Sequence, residues 1–301
     1  MTSDSPYITI IIPTFRAAKT LRATLDSVLC QDFRDFEVLV MDGGSDDGTA
    51  AIVEQAADDR IRFVAQRDKG VYDAMNKGIA AARGVWLYFL GADDLLYAPG
   101  VLSSIFGAGA RSHEDADFLY GDVVSPSYKG RYDGQFAFAK LLSRNISHQA
   151  IFYRRSLFDK FGAYNLRYPG YADWELNIRL FDAAGVRIRY IDVIIARFGP
   201  DGISSRHDSA FLREVLFPNK LRLLEEKGMK ELRPLMAYDE VWRLLRNGEF
   251  SGVRGSGIPA AIRQMAAWQE HIPRRLLKIG AASKIIMLTS YLRHLLSGGL
   301  R

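Results

Sequence analysis

Largely apolar runs alternate with segments of helical spacing along the first third of the chain. The run at residues 8–12 is β-branched and stops at Pro13-Thr14; the segment after it, to about residue 29, puts Leu21, Leu25, Val28 and Leu29 on one face. A second run at 36–41 stops at Asp42-Gly43-Gly44-Ser45-Asp46-Asp47-Gly48-Thr49, and Ile52, Val53 and Ala56 come next at helical spacing. A third short strand is expected at 61–65 and a helix at 72–82, ending near Arg83-Gly84. A fourth strand is expected at 85–90, where Val-Trp-Leu-Tyr-Phe-Leu runs into Gly91-Ala92-Asp93-Asp94. Strands without polar alternation are covered on both faces, and strands that alternate with helices require a parallel sheet with right-handed crossovers.

This pattern also places candidate chemistry. Ligands of such sheets gather beyond the carboxyl ends of the strands, where Asp42, Asp93 and Asp94 fall. Hard carboxylate oxygens suit Mg²⁺ or Mn²⁺, which complete their shells with water and substrate phosphates. The same residue types also form turns and caps: Asp42 would close the Gly43-Gly44 corner as an Asx turn, and Asp93 and Asp94 would cap the next turn or helix. No glycine fingerprint for a dinucleotide succeeds the first strand, and no Walker loop is present, so an NAD enzyme or P-loop ATPase is not expected.

Five segments in order resemble the family-2 nucleotide-sugar glycosyltransferases of the GT-A fold: residues 10–15, 42–49, 68–78, 91–94 and 172–175. The resemblance spans roughly residues 7 to 205. It implies a GT-A type, Rossmann-like, mostly parallel α/β sheet flanked by helices, with a nucleotide-binding half at about 1–98 and an acceptor half at about 99–210. A helical basic extension would occupy 211–301.

The resemblance also implies roles. Pro13, Thr14 and Asp42 would face the nucleotide, and Asp68 and Asp73 would line the donor pocket. Lys77 would be a lesser candidate near the phosphate, and a solvated helix face is its simpler reading. Asp93 would be the main ligand of Mg²⁺ or Mn²⁺, with Asp94 behind it or on the sugar; the family's acidic or amide residue two positions earlier is here Gly91. Asp173 would be the general base that deprotonates the acceptor hydroxyl, with Ala172 in place of the usual Glu. Glu175 is the second candidate, and a plain N-cap is the structural alternative for Asp173. One base opposite a leaving diphosphate implies inversion at the anomeric carbon.

Residues 118–123 are expected to form a strand with an acidic turn, and 147–153 another, carrying His148 and Gln149, which match a pair near the active site of surface-polysaccharide members. Residues 199–205 resemble a closing segment, from which Arg206 or His207 could reach the diphosphate or the metal, although charged loop residues usually face solvent. The expected partners are a nucleotide-sugar donor, with UDP the first choice, and a glycan or polyprenyl-lipid-linked acceptor.

Composition fits this picture. The chain has 301 residues, 48% hydrophobic and 25% charged, which is ordinary for a soluble globular protein. A single cysteine, Cys30, on the apolar side of the first helix, excludes an intrachain disulfide and favours a reducing compartment. With no signal-peptide pattern at the N-terminus, a cytoplasmic location is expected, peripheral on the inner face of the membrane if the extension binds lipid.

That extension interleaves Arg254, Arg263, Arg274, Arg275, Lys278, Lys284 and Arg293 with Trp268, Leu276, Leu277, Ile285, Ile286 and Leu288. Such faces suit a helix lying in the membrane interface, and equally a bundle packed on the catalytic domain or against a second copy in a homo-oligomer. The net charge of +5 is compatible with anionic lipid. No nucleic-acid motif accompanies it. A non-catalytic sugar-nucleotide binding protein and a sugar-phosphate nucleotidyltransferase remain the alternatives, although the latter would be expected to carry a basic, Gly-rich loop after the first strand.

Overall fold

A computed structural model describes residues 5–107, 113, 115–126, 130–199 and 208–226. The chain divides into two units, Met1–Asp208 and Ser209–Arg301.

The first unit opens with β1 (Ile8–Thr14), α1 (Leu21–Leu29), β2 (Phe36–Asp42), α2 (Thr49–Ala56), β3 (Ile61–Ala65), α3 (Val71–Ala81) and β4 (Trp86–Phe89). All seven positions of β1 and of β2 are buried, which is why these strands show no polar alternation. β1 pairs in parallel with both β2 and β4, and β2 in parallel with β3. The chain therefore leaves β1 in opposite directions, and in sheets of this kind ligands bind in the crevice beyond the carboxyl ends where the strand order reverses.

Beyond β4 the sheet becomes mixed. The later elements are β5 (Leu95–Leu96), α4 (Val101–Phe106), β6 (Phe118–Val124), β7 (Arg131–Tyr132), α5 (Phe138–Leu141), β8 (Ile151–Arg154), α6 (Arg155–Phe161), α7 (Ala172–Asp182) and β9 (Ile188–Arg197). The sheet order is β3-β2-β1-β4-β8-β6-β9-β5, with β7 paired to β6. β8 runs antiparallel to β4 and β6, while β6 and β9 are parallel. Aromatic rings fill the centre, with Tyr88 stacked on Phe152 at 4.5 Å between centroids and Phe118 edge-on to Tyr153 at 4.9 Å.

Two local expectations need correction. His148 and Gln149 lie on a 3₁₀ turn, His148–Ala150, that precedes β8, not on the strand itself. Cys30 lies just past the last turn of α1 and is exposed, because the apolar face of that helix ends at Val28 and the chain turns away to reach β2.

In the second unit the described residues form α8 (Ser209–Phe211), a π-helical turn (Leu212–Leu216) and α9 (Phe217–Glu226). The basic residues from Arg254 onward lie outside the described residues, as do Arg206, His207 and most of the expected closing segment. Among the described residues no helix is long and apolar enough to cross a membrane.

Candidate active site

Thr14 and Asp42 end neighbouring strands in register with one another and are both buried. Thr14 Oγ1 donates to Asp42 Oδ1 at 3.3 Å and the Ser45 hydroxyl to the same oxygen at 2.6 Å. The backbone N–H groups of Gly44 and Ser45 donate to Oδ2 at 2.9 and 2.8 Å. Four donors match the four lone-pair sites of a carboxylate, so Asp42 closes its turn as the sequence allowed. Pro13, buried one step earlier, brings no N–H to the strand end.

The rest of the 42–49 motif ties two loops together. Arg16 N–H donates to Ser45 Oγ at 2.8 Å, Ala17 N–H to Thr49 Oγ1 at 3.0 Å and Ala18 N–H to Asp47 Oδ2 at 3.0 Å. Thr49 donates to Asp47 Oδ1 through its hydroxyl at 2.6 Å, and this bond, with the Ala18 N–H, holds the Asp47 carboxyl below its ordinary range. These contacts join the loops that follow β1 and β2 at the carboxyl edge of the sheet. Phe15 stands there 62% exposed. A Cβ on Gly43 would lie 2.6 Å from Asp68 Oδ2 and 3.4 Å from the Phe15 ring, so glycine lets the loops after β1, β2 and β3 converge.

Asp68 accepts from the Gly70 N–H at 2.9 Å, just before α3. Asp73 accepts from the Lys69 N–H at 3.0 Å and pairs with Lys77 at 3.1 Å, and these contacts, the Lys69 bond first, hold its carboxyl low. Lys77 also donates to the Arg67 carbonyl at 2.6 Å. Its ammonium is thus turned back onto the loop before the helix, which corrects its reading as a solvated surface residue.

At the end of β4 the two carboxylates differ. Asp93 is exposed, whereas Asp94 is 4% exposed. Gln149 Nε2 donates to Asp94 Oδ2 at 2.7 Å, and the Gly199 N–H donates to Oδ1 at 3.3 Å. Burial pushes the Asp94 carboxyl above its ordinary range, opposed by the nearby His148 and the Gln149 bond and reinforced by Asp93. A Cβ at Gly91 would lie 2.5 Å from Asp94 Oδ2 and 3.0 Å from Asp93 Oδ1, so both carboxylates fold back over that glycine. Asp93 is the exposed hard oxygen donor of this turn, while both oxygens of the buried Asp94 accept hydrogen bonds from the protein. Among the described residues no group of three or more His, Cys, Asp or Glu could hold a metal ion unaided. A cation at Asp93 would therefore complete its shell from water and a diphosphate, the usual habit of Mg²⁺.

Asp173 is 8% exposed in the first turn of α7. It does not cap that helix, since Tyr171 is the N-cap residue and makes no side-chain capping bond. Instead Tyr72 Oη donates to Asp173 Oδ1 at 2.7 Å and Asn145 Nδ2 donates to Oδ2 at 2.8 Å. Burial, together with the Asp173 charge, drives the Tyr72 hydroxyl well above the ordinary tyrosine value, so it stays protonated as a donor. One donor on each oxygen leaves each Asp173 oxygen a further lone-pair site. Tyr72 falls in the matching segment 68–78 and Asn145 in none, and in neither case does the sequence show the contact with Asp173, which lies 101 and 28 positions away.

Glu175 is placed differently. Arg179 grips it bidentately through Nε at 3.1 Å and Nη2 at 2.8 Å, and the same guanidinium donates to the carbonyls of Phe161, Gly162 and Ala163. Glu175 therefore anchors the turn after α6. Ala172, where the family usually has Glu, is fully buried.

A family model described as Glycosyl transferase family 2 matches residues 9–162. The chain belongs to this family. Over 223 residues this glycosyltransferase is 44% identical to the PGL/p-HBAD biosynthesis glycosyltransferase of Mycobacterium tuberculosis, covering 72% of this chain and 87% of that relative. Over 217 residues it is 30% identical to an uncharacterized glycosyltransferase of the same organism, covering 68% and 80%. Its fold is similar to that of Staphylococcus aureus TarS in complex with UDP-GlcNAc, with a TM-score of 0.58 at 19% identity over 89% of this chain and 82% of that one. It is also similar to a Pyrobaculum calidifontis mannosyltransferase in complex with GDP-Man and Mn²⁺, with a TM-score of 0.55 at 17% identity over 98% and 89%. The mostly parallel GT-A sheet expected from the sequence is thus the fold of this glycosyltransferase.

Proposed function

We propose that this glycosyltransferase moves a sugar from a UDP-sugar to a hydroxyl of a glycan or lipid-linked acceptor, with inversion, and that Asp173 is its base. The observation that carries the reading is that one short segment braces two carboxylates. Asn145 donates to Asp173, and Gln149, on the turn just after it, donates to Asp94. The base is thereby fixed relative to the acidic turn after β4.

Asp173 takes the proton of the acceptor hydroxyl, whose oxygen attacks the anomeric carbon as the bond to the diphosphate breaks and its electron pair leaves with the nucleotide. One displacement from the face opposite the leaving group inverts the centre. Asp93, with Asp94 behind it, would hold a divalent cation. Such a cation supplies positive charge against the negative charge that builds on the departing diphosphate. Phe15, at the mouth of the crevice, offers a face for the base, and Asp68 a carboxylate for the ribose. A UDP donor is supported by the UDP-GlcNAc seen in TarS, and a saccharide or lipid-linked acceptor by the relative named for PGL/p-HBAD biosynthesis.

The test is release of UDP from UDP-hexoses by purified protein with Mn²⁺, in the wild type and in Asp173→Asn. Loss of turnover of at least about 100-fold with UDP affinity retained is expected for removal of a general base. Wild-type turnover by Asp173→Asn would remove that assignment.

A further inference from the structure

We propose that Tyr72 and Asn145 are positioning residues that fix the carboxylate of Asp173 for proton transfer, with Asn145 itself oriented through Asn177 and Tyr153; this rests on the reading of Asp173 as the base. The bonds form a directional chain. Tyr153 Oη donates to Asn177 Oδ1 at 2.8 Å, Asn177 Nδ2 donates to Asn145 Oδ1 at 2.9 Å, and Asn145 Nδ2 donates to Asp173 Oδ2 at 2.8 Å. Only this orientation of the two amides gives each atom a partner of opposite kind. Reversing them would turn Asn145 Oδ1 toward the carboxylate, oxygen against oxygen.

Tyr153 and Asn177 are fully buried, so water cannot replace a lost bond in this chain at low cost. The far end is rigid as well: Tyr153 sits edge-on to Phe118 and Phe89 in the aromatic core. Tyr72 approaches from the opposite oxygen and belongs to α3, which packs on β1 and β2. One turn further along α3, Asn76 joins Tyr164 through both amide atoms, Nδ2 to the carbonyl at 2.9 Å and Oδ1 from the N–H at 3.0 Å. Tyr164 in turn stacks obliquely on Tyr72 at 5.3 Å. α3 therefore carries, on one face, both a direct hold on the base and a hold on the loop that leads into α7.

The chain imposes a geometric constraint on the base. With both oxygens pinned by neutral donors, the carboxylate plane cannot rotate, and the remaining lone pairs point in fixed directions. A base that must meet a hydroxyl in one orientation gains from this, since misplacement by about 1 Å can cost on the order of 100-fold in rate. The Asp68–Gly70 turn, which faces the donor crevice, is only two residues ahead of Tyr72, so the pin on the base and the donor side share one helix start.

The experiment compares wild type, Tyr72→Phe, Asn145→Ala, Asp173→Asn and the double variant Tyr72→Phe/Asp173→Asn. The substrate is whichever of the UDP-, GDP- and TDP-hexoses gives the highest wild-type turnover, with nucleotide affinity by calorimetry and folding by thermal melting. Tyr72→Phe keeps the ring and its packing and loses only the hydroxyl, so it is the variant that folds. We expect its kcat to fall roughly 10- to 100-fold while donor KM and nucleotide affinity stay within about twofold. In the Asp173→Asn background the same change should cost nothing further. Wild-type kcat in both Tyr72→Phe and Asn145→Ala would overturn the proposal while leaving the base in place, as would a Tyr72→Phe loss undiminished on Asp173→Asn. Wild-type kcat in Asp173→Asn would overturn the base assignment and the proposal with it.

Discussion

The side-chain amide of Gln149 donates to the buried carboxylate of Asp94 at 2.7 Å, across 55 positions of sequence. The other end of the same amide is held by the Ser147 hydroxyl, which donates to Gln149 Oε1 at 2.6 Å. The donor half of the sheet is thereby tied to the segment that also reaches the base. Removing the amide leaves a buried carboxylate short of one donor. Gln149→Leu is therefore expected to lower stability by about 1–3 kcal/mol and to reduce kcat/KM for the donor. Thermal melts alongside steady-state kinetics check both; an unchanged melt would show that the bond is replaceable by water.

Gly91 leaves room for the two carboxylates after β4. A methyl group there would press on Asp94 Oδ2, part of a carboxylate that Gln149 and Gly199 already hold. Gly91→Ala should destabilise the fold by about 1–3 kcal/mol, in the range for inserting an atom into a filled site. Gly91→Asp, which restores the family's usual residue type, should be worse because it adds a third negative charge to the turn. Denaturant unfolding of the two variants ranks them directly.

Phe15 is exposed at the mouth of the crevice and contributes little to the core, so its loss should leave stability unchanged. A base stacked on an aromatic ring is worth about 1–3 kcal/mol. Phe15→Ala should weaken nucleotide binding accordingly, by roughly 5- to 100-fold, with the same melting temperature. Unchanged affinity for the nucleotide would show that the base lies elsewhere.

Glu37 gives a pH-dependent prediction far from the chemistry. Burial alone would raise its carboxyl, but hydrogen bonds from Arg83, Thr9 and Arg62 outweigh burial and hold it below the ordinary glutamate range. Thr9 Oγ1 donates at 2.8 Å, the Arg83 backbone N–H at 2.9 Å and Arg62 Nη1 at 3.1 Å, joining β1, β2, β3 and the turn before β4. A carboxyl with a depressed folded value stabilises the fold above its unfolded value, and that contribution disappears as pH falls through the folded value. Glu37→Gln should therefore melt lower than wild type at neutral pH, by about 1–2 kcal/mol since both arginines are partly hydrated. The gap should close below the ordinary glutamate range, which a pH series of melts would reveal.

The nucleotide half was legible because β1, β2 and β4 are buried along their whole length and are dominated by apolar residues, and even the half-buried β3 keeps Ile61, Phe63 and Val64; all four fall within a residue or two of the expected strands. β9 was not legible, since its Arg189, Asp192 and Arg197 interrupt the apolar residues of a half-covered strand. The Asx turn that the sequence offers for Asp42 is present, and Asp47, which no motif singles out, is likewise filled by donors from its own and the neighbouring loop. Asn145 lies in no matching segment, and Tyr72, although inside the segment 68–78, carries nothing there that names its partner. Their meaning arises only when α3, the segment before β8 and α7 meet, which spacing along one sequence does not encode.

The metal-assisted donor site is tested most directly by calorimetric titration of the purified protein with UDP, GDP and TDP, each with Mn²⁺ and with chelator. The predicted result is binding of UDP that needs Mn²⁺ and is lost in Asp93→Ala. UDP binding of equal strength in chelator, or no binding of any nucleotide under either condition, would contradict it.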